Sequence, residues 1–296
     1  MLSVDPRPAF AEAVYCATGA AIQPIADGQI HRFEDPQGKR GNAACWYVLY
    51  LDDHPAGAFG NWRTGFQSNW SQQGRTLGQQ EQERLQAILK VARVRRERER
   101  VEAHAQAAVQ ATQLWEGAEP ATVAHPYLAR KRIPALGLRQ HGAMLLVPMQ
   151  TIGGELMNLQ RICPAGDKRF LKGGRITDCF ALVGQEIPET GNLYIAEGWA
   201  TAMTIHVETR GPVVAAMNAG NLKPVALALQ RARPGLDLIL AADDDHRTPG
   251  NPGMRKATEA ARAVSGGLIR PAVCGGENCT CVDFNDLVVC GRRAAR

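Results

Sequence analysis

Glu197 closes the run Leu193-Tyr194-Ile195-Ala196, and an acid at the end of an otherwise apolar string is the first feature of this chain that suggests chemistry. A string apolar on both sides suits a central strand of a parallel sheet. Ligands of α/β proteins collect in the crevice outside the carboxyl ends of such strands. Further along, "LDLILAA" runs into Asp243, Asp244 and Asp245 in the same manner. Three consecutive acids repel one another, which no folding argument favours. A hard divalent cation would neutralise them, since such ions take carboxylate oxygens and keep several waters. Side chains alternate along an extended stretch, so Asp243 and Asp245 share a side while Asp244 points away. A loop of solvated acids capping the next helix is the competing reading, and the acid that ends the earlier string argues against it. Glu197, Asp243 and Asp245 are the candidate catalytic and metal-holding residues.

A basic stretch precedes the first acid. "RICPAGDKRFLKGGR" holds Arg161, Lys168, Arg169, Lys172 and Arg175 against one acid, Asp167. Its glycines let the backbone approach a ligand closely, and phosphate groups are natural partners for such a patch. A merely solvated surface is the alternative. "HPYLARKRI", with Arg130, Lys131 and Arg132, is a second and weaker basic cluster.

The elements that must position these groups follow from periodicity. From Leu193 onward, short apolar runs alternate with helical patterns: a strand to Ala196, a helix from Trp199, the strand "PVVAAM", the helix "LKPVALALQRA", the strand "LDLILAA", the helix "GMRKATEAARAV" and the strand "LIRPAV". That alternation predicts a parallel, Rossmann-like sheet. Upstream, "AMLLVPMQ", "GELMNLQRIC" and "RFLKGG" read as strands joined by glycine-containing turns. Residues 79–115 contain neither Gly nor Pro, and Leu85, Ile88, Leu89, Ala92, Val101 and Ala105 recur near helical spacing, so a long amphipathic helix is expected there. Its middle, "RVRRERER", reads either as a solvated face with paired charges or as a strip for phosphates. Between Ile30 and Trp70 lies a small β-rich unit with Trp46, Trp62 and Trp70, read as a miniature core or as stacking surfaces for bases. A short helix ending at Gly19 opens the chain. The boundaries expected are a β-rich unit at 1–75, a charged helix at 76–118, a basic subdomain at 119–190 and an α/β domain at 191–296.

The 296 residues carry a net charge of +5, with 45% hydrophobic and 21% charged residues, as in an ordinary globular protein. No apolar run reaches the roughly 20 residues needed to span a bilayer, and "MLSVDPRPAF" does not read as a signal peptide. A cytoplasmic location and no membrane partner are expected. The eight cysteines are scattered and read as reduced thiols. Cys274, Cys279, Cys281 and Cys290 gather near the end, but C-x₄-C-x-C departs from structural zinc spacing, so zinc is disfavoured.

Glu197-Gly198 after one strand and Asp243-x-Asp245 after a later one resemble the Toprim domain shared by bacterial-type primases, topoisomerases and some nucleases. "AMNAGNL", "NPGMRKATEAARAV" and "DFNDL" resemble the plasmid and phage branch of the primases. The Toprim resemblance covers about 190–290, and primase-like features extend it back to about residue 125. It implies a Rossmann-like Toprim domain with a parallel central sheet, preceded by a small α+β basic subdomain; the N-terminal β-rich unit plus long helix that complete the expected fold come from the residue pattern. It further implies that Glu197, Asp243 and Asp245 hold Mg²⁺ or Mn²⁺, with Asp283 of "VDFNDL" at the edge and Asp286 either beside it or capping a helix. Many such primases carry another acid soon after the Glu, where "EGWATA" offers only Thr201. The basic stretch resembles the segment that faces the metal site in these enzymes, which makes Arg161, Lys168, Arg169 and Lys172 the expected nucleotide or template contacts.

The implied activity is primer synthesis from nucleoside triphosphates on single-stranded DNA, for a plasmid, phage or integrative element. With no Gly-x₄-Gly-Lys-Ser/Thr string, unwinding is expected from a separate replicative helicase. Two rival readings share the same residues. A metal-dependent Toprim nuclease would recruit His246 beside Asp245, and a non-catalytic single-stranded nucleic-acid-binding factor would not need the acids at all.

Overall fold

The computed structural model describes residues 5–51, 55–72, 79–272 and 280–290. The chain divides into two compact units, residues 1–99 and 100–296.

In the first unit, helix α1 (Arg7–Thr18) ends where Gly19 takes a left-handed φ of 73° and its N–H bonds the Tyr15 carbonyl. Phe10 and Val14, one turn apart, form its buried face. Strands β1 (His31–Phe33), β2 (Cys45–Tyr50), β3 (Ala56–Asn61) and β4 (Phe66–Ser71) make an antiparallel meander in chain order. Alternation splits β2 between two small cores. Tyr47 and Leu49 face Phe10, whose ring lies edge-on to Tyr47, Phe59 and Trp70 at 5.8, 5.9 and 5.3 Å. Trp46 and Val48 face the other way and meet Leu89 of helix α2 (Gln79–Glu116). Gly60 makes room on that side, because a Cβ there would stand 3.0 Å from the Trp46 ring.

α2 crosses the division between the units. Its expected apolar stripe holds at Leu89, but Val101 and Ala105 are exposed. The later buried face is Ala107 and Ala111, set four residues apart with Leu114 and Trp115 beside them. Small alanines let the helix lie close on a sheet, so in this half size rather than hydrophobicity decides which side is covered.

The second unit holds two sheets. Strands β5 (Glu119–Pro120), β6 (Arg139–His141), β7 (Met144–Gln150), β8 (Leu156–Ile162) and β9 (Lys168–Phe170) form an antiparallel sheet in that order. Helix α3 (Pro126–Lys131) interrupts it, started by His125, whose Nδ1 accepts the Tyr127 N–H. One face of this sheet, with Leu146, Leu159 and Leu171, packs on Ala111 and its neighbours in α2. The opposite face, with Leu145, Val147, Met149 and Ile162, joins the core of the second sheet.

That second sheet runs β10 (Ala181–Val183), β12 (Val213–Ala215), β11 (Thr190–Ala196), β13 (Gly235–Ala241) and β14 (Gly267–Ile269) across its width. All neighbours are parallel except β10 against β12. β10 belongs to this sheet although it precedes residue 191. Helix α4 (Trp199–Thr209) covers one face with Trp199, Ala202 and Met203. A 3₁₀ turn (Ala219–Asn221), α5 (Leu222–Ala232) and α6 (Pro252–Ala263) cover the other. In β11, Leu193 and Ile195 serve one core while Tyr194 and Ala196 serve the other, so both faces are buried. Helix α7 (Phe284–Cys290) closes the described chain. Among the described residues no helix is long and apolar enough to cross a membrane.

Candidate active site

Register brings the two acidic strand ends together. Ala196 of β11 pairs with Ala241 of β13, so Glu197 leaves the sheet beside the start of the Asp243–Asp245 segment. These are carboxyl ends of central parallel strands, the position expected for chemistry. Asp283, just ahead of α7, completes a group of acids that feel one another's charge: Asp243 and Glu197 each sense both Asp245 and Asp283.

Asp243 is the most perturbed acid. Burial pushes its carboxyl up to about 8, and Glu197, Asp283 and Asp245 add to the rise while Lys168 opposes it. Its Oδ1 is buried without a hydrogen-bond partner. Glu197 is also held above the usual carboxylate range, by burial and Asp245, against the pull of the Ala219 N–H and Lys168. Asp245 Oδ2 accepts the Gly253 N–H at 2.9 Å. Asp244, by contrast, is spent on the fold. It is buried, its Oδ1 takes the Asn251 amide at 2.7 Å, and its N–H bonds the Val282 carbonyl. The alternation read from the sequence therefore separates the three consecutive acids as expected.

Asp283 has two contacts of different kinds. Its Oδ1 caps α7 by accepting the Asp286 N–H at 2.7 Å, and its charge reaches Asp243, Glu197 and Lys168. Asp286 is tied to Lys131 Nζ at 3.1 Å and to the Val282 N–H.

Lys168 faces this group. Its Nζ would lie 3.9 Å from a Cβ on Gly198, and it sits 5.8 Å from the centre of the Tyr127 ring. Although part of its side chain is open to solvent, its ammonium is crowded. Burial and Lys131 lower its pKa, and Asp283, Asp243 and Glu197 resist that fall. Burial would also lower Lys131, but Asp283 and the hydrogen-bonded Asp286 outweigh it and hold its pKa above the ordinary value.

The other basic candidates stand elsewhere. Arg169 pairs across strands with Arg161, so the two share the sheet face turned to α2, while Lys168 shares the face of Ile162. Arg161 has a buried Nε without a partner. Lys172 is exposed in the turn after β9, and Arg175 pairs with Asp178 at 2.6 Å. Of the second cluster, Arg130 bonds the Pro164 carbonyl and Arg132 ends α3 in a left-handed conformation, which leaves Lys131 alone turned to the acids. His246 is exposed, with Nδ1 at 3.0 Å from the Asp244 carbonyl. Cys281 is buried with its Sγ 3.7 Å from the Asp286 carbonyl, Cys290 is exposed, and Cys274 and Cys279 lie outside the described residues.

Among the described residues no three carboxylate, imidazole or thiolate side chains stand together as a finished metal cage. The spacing predicts a closer convergence. Glu197 and Asp245 each take a hydrogen bond from a backbone N–H, those of Ala219 and Gly253. The donor set nonetheless fits a hard cation: several carboxylates, one with an orphaned buried oxygen, suit an ion that keeps part of its water shell.

Gly253 is a component that residue types alone do not reveal. A Cβ there would stand 2.7 Å from the Asp243 carbonyl and 2.9 Å from Asp245 Oδ2. Gly253→Ala is expected to displace both the Asp243 backbone and the Asp245 carboxylate and to lower stability by about 1–3 kcal/mol. A melting curve of the variant beside the wild type checks this.

The family profile described as "Toprim domain" matches residues 192–292. This stretch is a Toprim domain. All four acids, Glu197, Asp243, Asp245 and Asp283, lie inside it, whereas Lys131 and Lys168 reach the Toprim site from the preceding antiparallel sheet and its helix. Two Escherichia coli proteins, each named DNA primase TraC, are 35% identical to the chain over 294 and 291 residues. Both alignments cover 93% of this chain, which spans 27% and 20% of the length of those relatives. Among solved structures, the primase fragment of the bacteriophage T7 primase-helicase matches 56% of the chain and 70% of its own, at 18% identity and a TM-score of 0.44. The DnaG primase catalytic domain bound to single-stranded DNA matches 50% of the chain and 48% of its own, at 15% identity and a TM-score of 0.34.

Proposed function

We propose that the protein is a DNA primase that joins nucleotides into short primers on single-stranded DNA, in the replication of a plasmid, phage or integrative element. The observation that carries this reading is the mutual charge contact of Glu197, Asp243, Asp245 and Asp283, with Lys168 facing Glu197, Asp243 and Asp283, and with Asp243 Oδ1 buried and unpartnered. The 35% identity to the two E. coli proteins named DNA primase TraC, over alignments that cover 93% of this chain, supports the same reading.

Glu197, Asp243 and Asp245, with Asp283 at the edge, would hold Mg²⁺ or Mn²⁺. Such ions, when bound, supply activation of an attacking 3′-hydroxyl and neutralisation of the leaving pyrophosphate. Lys168 places a positive charge where the phosphates of an incoming nucleotide must pass, and Lys131 steadies Asp283 and Asp286 beneath it. The Ala219 and Gly253 N–H groups fix the direction of two carboxylates, and positioning of this kind provides much of the rate in phosphoryl transfer. Lys172 is the further candidate for template phosphate, and Arg161 and Arg169 would act on the opposite sheet face. A separate replicative helicase is the proposed unwinding partner, and the cytoplasm the proposed location.

The test incubates the chain with single-stranded DNA, ribo- and deoxynucleoside triphosphates and Mg²⁺ or Mn²⁺, beside Glu197→Gln. New oligomers that vanish in the variant support the reading. Shortened template would identify a nuclease instead, and binding without either product would identify an accessory factor.

A further inference from the structure

The first unit carries a groove of about 600 Å³ that the Toprim chemistry does not use. Its walls come from the β1 approach, from Trp62 after β3 and from one side of α2. Four arginines line it, Arg32, Arg93, Arg95 and Arg96, against one acid, Glu99, which is bonded to Arg95 at 2.9 Å. The charge is thus strongly positive and sits at the rim.

The arginines are held in an unusual way. Trp62 stacks on the buried Trp46 at 5.1 Å and 27°, which fixes its plane. The guanidiniums of Arg93 and Arg96, one helical turn apart, stand 5.8 and 4.9 Å from the Trp62 ring centre. A guanidinium laid over an aromatic ring is oriented by it, and its donor edge matches phosphate geometry. Arg32 is positioned by its Nε, which donates to the Ala43 carbonyl at 2.8 Å. The other lining side chains are largely apolar: Ile30, Ala87, Ile88, Val91 and Ala92. Val91 is 67% exposed, a cost to a helix that covers nothing with it.

Arginines interleaved with exposed apolar side chains fit a polymer that shows phosphates and bare bases together. Single-stranded DNA does so, whereas a duplex turns its bases inward. We propose that this groove is a binding site for single-stranded DNA, with Arg32, Arg93 and Arg96 on the phosphates and the bases against Ile88, Val91 and Ala92. The inference goes beyond the primase reading and does not require the acids to be catalytic.

Fluorescence anisotropy of a labelled oligo(dT) of 20 nucleotides, titrated with the full chain in EDTA and without nucleotides, tests it apart from catalysis. Arg93→Glu with Arg96→Glu should weaken binding at least about 10-fold, and the slope of log K against log salt should shrink by about 1.4, two contacts at about 0.7 each. Lys223→Glu with Arg231→Glu, the same charge change on exposed positions of α5, should leave both within about twofold. Circular dichroism confirms folding of each variant. Affinity for oligo(dT) within twofold in the first variant, equal loss in both variants, or equal loss for a blunt duplex would each overturn the proposal.

Discussion

Asp243→Asn is expected to abolish the proposed primer synthesis, by on the order of 10³-fold, while making the folded chain more stable at neutral and alkaline pH. Both effects come from one fact. The native fold holds this carboxyl against burial and three like charges, and its pKa stands at about 8. In the unfolded chain it would titrate near 3.9. Below about pH 4 the acid is neutral in both states, and the native fold carries no penalty. As pH rises from there, the unfolded state gives up the proton and the native state keeps it. The stability associated with the neutral acid is therefore full below about pH 4, falls as pH climbs, and is lost once pH passes about 8. Asparagine never ionises, so the variant should lack this fall. Melting curves of both proteins between pH 4 and 9 measure it. If the wild type does not lose stability relative to Asp243→Asn across that range, the crowding of charge at this position is refuted. A divalent ion favours the ionised form, so Mg²⁺ should raise the wild-type melting temperature at pH 8 and leave the variant unmoved.

The reason such a residue was visible without coordinates is that its cost is visible. Consecutive acids at the end of an apolar strand have no folding rationale, and period-2 alternation then sorts Asp243 and Asp245 from Asp244, whose side chain the structure commits to Asn251. The helix at 222–232 was equally open, because its apolar positions repeat cleanly between Asn221 and Arg233. What stayed closed depends on register and on partners distant in the chain. Lys168 and Arg169 are adjacent and chemically alike. Only the pairing of β9 with β8 sends one toward the Toprim acids and the other to the face of Arg161. Lys131 is one of three consecutive cations, and nothing in their order shows that Arg132 must take a left-handed turn while Lys131 meets Asp286, 155 residues later. Asp283 illustrates a third limit, since a single carboxylate both caps α7 and charges the site, and the apolar pattern points to neither partner. Gly253 was hidden for the opposite reason: its contribution is the absence of a side chain.

Lys168→Ala should produce the other large effect, and its signature differs from that of a lost acid. In the native site the ammonium draws down the pKa of both Glu197 and Asp243. Without it both carboxyls climb further, and the acids must ionise at higher pH before they can hold a cation. The acidic limb of the rate profile is therefore expected to move to higher pH. Turnover at pH 7 should fall by roughly 10²-fold, with a raised KM for the nucleoside triphosphate because a charge facing its phosphates is gone. Lys168→Arg keeps the charge and should restore the position of the acidic limb, though not the full rate, since a guanidinium cannot occupy the same point between Tyr127 and Gly198. A lysine that only braced β9 would lower stability in both variants and leave the limb where it was. An unshifted limb in Lys168→Ala, with activity within about twofold of wild type, would remove Lys168 from the site and leave the acids to manage the phosphates alone.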